Sequence, residues 1–171
     1  SYLLVCNASN TDKVYAWMQE NNGSEAFLNN ISDSIGLLAL QGPAAIKILK
    51  ELTDANLDAI ENYHFIADQK VAGIPHVLIS RTGYTGEDGF ELYLAGEQTA
   101  LLWEKLLAVG EAYGALPCGL GSRDTLRLES GMPLYGHELS EEITPLAAGL
   151  GFAVKTKKAS DFIGKASLTA I

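Results

Sequence analysis

Phe90-Glu-Leu-Tyr-Leu94 alternates apolar and polar-faced side chains without a break. In an extended strand, successive side chains point to opposite faces, so Phe90, Leu92 and Leu94 share one face and Glu91 and Tyr93 the other. The run before it, Arg81-Thr-Gly-Tyr-Thr-Gly-Glu-Asp-Gly89, reads as a glycine-rich turn delivering the strand. Upstream, His64–Val71 and His76–Ser80 also alternate, which predicts two paired strands with Gly73-Ile-Pro75 between them. Ile35–Gln41 and Tyr2–Asn7 read as further short apolar strands. Helices are predicted from Asn10-Thr-Asp to about Glu20, with Val14, Trp17 and Met18 as its stripe, and from Pro43 through Leu52. Two more are predicted over Glu97–Val109, with Leu101, Leu102, Leu106 and Val109 inward, and over Gly121–Glu129. From Met132 to Phe162-Ile-Gly-Lys165 the texture changes to turns and short apolar pieces. Strand–helix–strand units with adjacent antiparallel strands predict an α+β fold, a ferredoxin-like mixed or antiparallel sheet with packed helices.

Bulk composition bounds the function. At 171 residues, with 47% hydrophobic and 19% charged content, the chain suits a domain with a full core. Its net charge of −9 opposes non-specific binding to nucleic acid or anionic lipid, which need positive potential. No apolar run is long enough to span a membrane. Cys6 and Cys118 sit in no CxxC or Cys/His cluster, so the expectation is two reduced, buried thiols and no metal. The chain begins with Ser1 rather than Met, as expected of a piece cut from a longer protein.

Chemistry points to the sheet face. A carboxylate at Glu91, beside aromatic rings, suits a planar heterocycle with adjacent N–H donors, since one carboxylate accepts both. A solvated glutamate on an exposed face is the plain alternative. Gly83, Gly86 and Gly89 allow positive φ or a close backbone approach, yet no phosphate-binding glycine pattern is met. Tyr84 can stack on a ring or pack the turn. On the helix, Asp124 can pair with Arg127 at i, i+3, which leaves Arg123 for a ligand carboxylate, for Glu91 or for solvent. His64, His76 and His137 are scattered, with no nucleophile turn nearby.

Arg81-Thr-Gly-Tyr-Thr-Gly-Glu-Asp-Gly-Phe-Glu91 and Pro117-Cys-Gly-Leu-Gly-Ser-Arg-Asp-Thr-Leu-Arg-Leu-Glu-Ser-Gly-Met-Pro-Leu-Tyr-Gly-His-Glu138 together resemble the aminomethyltransferase (T-protein) family of the glycine cleavage system. Val5-Cys-Asn-Ala8, Leu40-Gln-Gly-Pro43, Thr144-Pro-Leu146 and Asp161-Phe-Ile-Gly164 match in family order. The resemblance implies transfer of a one-carbon unit from the aminomethyl group on lipoylated H-protein to tetrahydrofolate, with release of ammonia. It implies a folate-binding core over 1–131, with 132–171 as a connector to a C-terminal β-domain lying beyond the chain. By the same resemblance Glu91 grips the pterin, Arg123 belongs to the substrate site, Asn7 lies near the folate and Tyr84 lines the pocket. The family's catalytic aspartate lies upstream of Ser1, so no catalytic residue is expected here and the chain alone is expected to turn over little. A bacterial cytoplasmic or mitochondrial-matrix setting follows. Rival readings are a folate domain of dimethylglycine or sarcosine oxidation, a demethylase, and a non-catalytic folate-binding protein.

Overall fold

The alternation of Phe90–Leu94 is realised in β4 (Gly89–Ala95), where Phe90, Leu92 and Leu94 are buried while Glu91 and Tyr93 are half-buried on the other face. The computed structural model describes residues 2–24 and 26–171, and the chain divides into two units, Ser1–Ser130 and Gly131–Ile171. In the first unit β1 (Ile35–Gln41), β2 (Phe65–Val71) and β3 (Ile74–Ser80) join β4 in one antiparallel sheet of order β1-β4-β3-β2. The strand whose alternation is cleanest is therefore one of the two interior strands. Its register places Ala39, Glu91 and Ser80 in one cross-strand row and Leu37, Tyr93 and Leu78 in the next.

One face of the sheet carries the core. Leu49 from α2 (Ala45–Lys50) and Leu102 from α3 (Thr99–Gly110) join Leu57, Val77, Ile79, Phe90, Leu92 and Leu94 in a single buried cluster. Burying each such side chain stabilises by roughly 1.5–3 kcal/mol. Of the expected inner face of α3, Leu102 and Leu106 are buried and Val109 packs against the core, whereas Leu101 is 47% exposed. Leu101 therefore lies off the inward stripe, which Leu102, Leu106 and Val109 make by themselves at i, i+4 and i+7.

The sheet is α+β and wholly antiparallel, but the ferredoxin-like label does not carry over to it. That arrangement places a helix between its third and fourth strands; here β3 passes directly to β4 through the 81–88 loop. The β2–β3 connection is also tighter than expected. Ala72 and Gly73 form a two-residue turn with φ of +52° and +86°, the sign a hairpin of this length requires at both positions. Pro75 thus lies inside β3, accommodated because β4 pairs with β3 only at Leu78–Ser80.

Three further expectations are corrected. Tyr2–Asn7 forms no strand: Tyr2, Leu3, Leu4 and Val5 are exposed, and no described neighbour supplies the ladder hydrogen bonds that an apolar run needs to become a strand. Helix α1 (Thr11–Glu20) forms as expected, yet buries none of its residues. Cys6 and Cys118 are both exposed rather than buried, since one lies on that unpaired segment and the other in the loop before α4 (Leu120–Glu129). The second unit consists of turns, an isolated bridge between Tyr135 and Leu139, and α5 (Lys165–Thr169), a helix the sequence pattern did not signal.

Removing core volume at the centre of β4 tests this layering. Leu92→Ala should lower unfolding free energy by about 2–5 kcal/mol in urea titrations followed by circular dichroism. Leu101→Ala should change it by less than about 1 kcal/mol. Equal losses would mean that the inner face of α3 is misassigned.

Candidate binding site on the open sheet face

Opposite the core, the row Ala39–Glu91–Ser80 sets a carboxylate between two small side chains, which leaves space above it. The adjacent row, Leu37–Tyr93–Leu78, is apolar except for the phenol, and Leu37 is 44% exposed. The result is a partly apolar floor that carries one anionic group, on the interior strand β4. Glu91 is held through one of its two oxygens. Thr82 donates to its Oε2 at 2.5 Å, and the Tyr93 hydroxyl reaches the same oxygen at 3.2 Å. Thr82 also lies 3.0 Å from the Ser80 hydroxyl. With one proton per hydroxyl, the carboxylate takes that of Thr82, and Ser80 donates to Thr82. Neither bond engages Oε1, which takes no hydrogen bond among the described residues. Burial, then the charge of Glu91 and the hydrogen bond to it, push the Tyr93 phenol up to about 12, so it remains a neutral donor at physiological pH.

The loop from Arg81 to Asp88 positions this floor. Arg81 donates from Nε to Asp88 Oδ1 at 2.9 Å and from Nη2 to Oδ2 at 2.8 Å, a fork-to-fork pair that closes the loop at its base. Its remaining arm donates to the Ile60 carbonyl at 2.9 Å. Beneath the loop, the Gln41 amide donates to the Thr82 and Phe90 carbonyls at 3.1 and 3.2 Å. Both partners are acceptors, which fixes the amide orientation and turns Gln41 Oε1 toward the glycines. A Cβ on Gly83 would come within 1.9 Å of that oxygen, and one on Gly89 within 2.7 Å. Gly86 alone of these three has positive φ, at +80°, and its missing Cβ admits the Ser130 hydroxyl, which donates to the Thr85 carbonyl at 2.9 Å. The glycines thus serve the packing of the loop onto Gln41 and Ser130.

Of the four site residues expected from sequence, the structure brings two into contact. The Arg123 guanidinium lies 4.5 Å from the centroid of the Tyr84 ring, a cation–π stack between α4 and the loop. No ion pair joins Arg123 to Glu91 among the described residues. Arg127 is 3% exposed and donates to Asp124 Oδ1 at 2.9 and 2.7 Å, the pairing its spacing implied. Asn7 sits on the exposed segment before α1, and no hydrogen bond, ion pair or ring contact among the described residues links it to Glu91, Tyr84 or Arg123. Thr82, Ser80, Tyr93 and Gln41 were not singled out as site residues from sequence. Only Tyr93 carried a local signal, its place two residues from Glu91 on the same face. Among the described residues no cluster of His, Cys, Asp and Glu could hold a metal ion.

The GCVT N-terminal domain family model matches residues 1–158. The aminomethyltransferase of Bacillus subtilis (strain 168) is 54% identical over 168 residues, covering 98% of this chain and 46% of that protein. The aminomethyltransferase of Caldanaerobacter subterraneus subsp. tengcongensis is 55% identical over 168 residues, covering 98% and 44%. The chain spans about half the length of the curated relatives it matches. Its fold is similar to the crystal structure of glycine cleavage system aminomethyltransferase T from Bartonella henselae, with TM-score 0.76 and 31% identity over 96% of this chain and 44% of that one. A heterotetrameric sarcosine oxidase from Corynebacterium sp. U-96 shares the fold alone, with TM-score 0.50 and 24% identity over 66% of this chain and 55% of that one.

Two measurements test the local architecture. Gly83→Ala should destabilise the chain by about 1–3 kcal/mol through overpacking against the Gln41 amide. In a Gly83→Ala, Gln41→Ala double variant most of that additional loss should disappear, and strict additivity would show that the contact is unimportant. The Tyr93 phenol, raised from 10.0 to about 12 in the folded chain, contributes stability that is fully present below pH 10 and is lost as pH rises toward 12. Urea midpoints should therefore fall between pH 10 and 12 more steeply for the natural chain than for Tyr93→Phe.

Proposed function

The chain belongs to the GCVT N-terminal domain family, and from that membership we propose that its first unit is the pterin-binding core of a glycine cleavage aminomethyltransferase. The reaction proposed for the whole protein transfers a one-carbon unit from the aminomethyl group on the lipoyl arm of H-protein to tetrahydrofolate and releases ammonia. The observation that carries the reading is Glu91. Its carboxylate stands on the half-apolar open face, is anchored through Oε2, and leaves Oε1 without a hydrogen bond among the described residues, available to a ring N–H.

The residues fit a pterin in kind. The ring edge has adjacent N–H donors, and a carboxylate is an acceptor that needs no proton of its own. Ala39 and Ser80, as the small flanking side chains, give the ring access, while Leu37, Leu78 and the Tyr93 ring offer apolar surface. Arg123, stacked on Tyr84, brings a permanent positive charge beside the loop and suits an anionic group on either substrate. Asn7 is proposed as a folate contact on the resemblance alone. In this reading the chain's part is to bind and orient, which by itself contributes rate by holding the reacting nitrogen in place. The acid–base group of the transfer is proposed to lie outside these 171 residues. Tetrahydrofolate and lipoylated H-protein are the proposed partners, in a bacterial cytoplasm or a mitochondrial matrix. Among the described residues, no helix is long and apolar enough to cross a membrane.

Titration of tetrahydrofolate, followed by tryptophan and tyrosine fluorescence, tests the assignment. Glu91→Ala should weaken binding by about 10- to 100-fold, the loss of hydrogen bonds to a charged acceptor. Equal affinity in both proteins would remove Glu91 from the site.

A further inference from the structure

The hydrogen bonds at Glu91 set a problem for any ring that offers two adjacent N–H donors. Such an edge binds a carboxylate best in parallel, one donor to each oxygen. Each carboxylate oxygen has two lone-pair sites. At Oε2 both are taken, by Thr82 at 2.5 Å and by Tyr93 at 3.2 Å. Parallel docking therefore requires one of these donors to leave.

The two are unequal. The Thr82 bond is short, and Thr82 is itself held by Ser80, so displacing it would break a chain of bonds. The Tyr93 bond, at 3.2 Å, is longer than the usual range for a hydroxyl donor and therefore weak, and among the described residues that phenol oxygen makes no other hydrogen bond. Tyr93 lies two residues from Glu91 on the same open face, so its hydroxyl borders the place where the ring must sit.

We propose that Tyr93 is a specificity-determining residue of this site, its hydroxyl competing with the ligand for Glu91 Oε2 and being displaced only by rings with two adjacent N–H donors. The proposal rests on the reading of Glu91 as the pterin acceptor. A ring with one donor binds at Oε1 and leaves the Tyr93–Glu91 bond intact. A ring with two donors breaks that bond and gains a second charge-assisted one. The competition lowers affinity for two-donor rings without touching one-donor rings. Tyr93 is thus a tuning residue, distinct from the group that makes the contact.

Calorimetric titration in the full chain tests this with two probes. One is tetrahydrofolate, with a ring N–H beside an amino group; the other is its analogue with that amino group replaced by methyl. Tyr93→Phe keeps the ring and its packing while removing the donor. It should tighten tetrahydrofolate by about 3- to 10-fold, the worth of one weak hydrogen bond, and leave the methyl analogue unchanged. A structural effect would move both ligands together and would overturn the proposal, as would unchanged or weaker tetrahydrofolate binding. Thr82→Val, which frees Oε2 only by breaking the anchor, should weaken both ligands. Glu91→Gln in parallel separates the two levels of inference. If it leaves tetrahydrofolate affinity intact, the pterin reading itself fails. If it weakens binding while Tyr93→Phe does nothing, only the competition fails.

Discussion

The pairing of Arg81 with Asp88 holds the base of the loop on which the rest of the site depends. Arg81 follows the last residue of β3 and Asp88 precedes the first of β4, so the fork-to-fork bond joins the two strands where their hairpin opens. The backbone of Arg81 also pairs with Tyr63 and His64, which ties the same point to the start of β2. Each partner shifts the other in the direction an ion pair requires. The Asp88 hydrogen bond and charge raise the guanidinium despite its partial burial, and the Arg81 contacts hold the Asp88 carboxyl below its usual range. The pair is partly exposed, so its importance lies in geometry more than in energy.

From that base the loop closes over Gln41, a side chain that donates to carbonyls on both sides of it. Ser130 then pins the loop tip from the end of α4, and Arg123, on the same helix, stacks on Tyr84. The loop is thereby fixed at its base, underside and tip by contacts from separate elements. Thr82 sits between these fixed points and can hold Glu91 in one orientation. Rigidity of this kind reduces the entropy lost when a ligand binds. The open face can stay open because binding does not need to assemble it.

The region before β1 contrasts with this. Tyr2, Leu3, Leu4, Val5, Trp17 and Phe27 are exposed and α1 fully buries nothing, although the local patterns of strand and helix are clear. Secondary-structure signal and tertiary burial are separate facts. A helix forms where its own backbone satisfies its hydrogen bonds, as α1 does although Asn10 makes no side-chain cap bond. A strand needs a second strand, and the described residues provide none for Tyr2–Asn7.

Sequence alone determined what depends on neighbours close in the chain. Alternation placed Glu91 opposite the core face of β4, an i, i+3 spacing paired Asp124 with Arg127, and the motif runs named the family. Tertiary structure decided what depends on residues far apart. Gln41 meets its acceptors across 41 and 49 residues, so no local pattern shows that Gly83 and Gly89 are glycines for its sake. The direct step from β3 to β4, the exposure of both thiols and the stacking of Arg123 on Tyr84 are of the same kind. So is the occupancy of the Glu91 oxygens. Periodicity can say which face a carboxylate takes, but only the folded chain brings Thr82 and Tyr93 to one oxygen and leaves the other open.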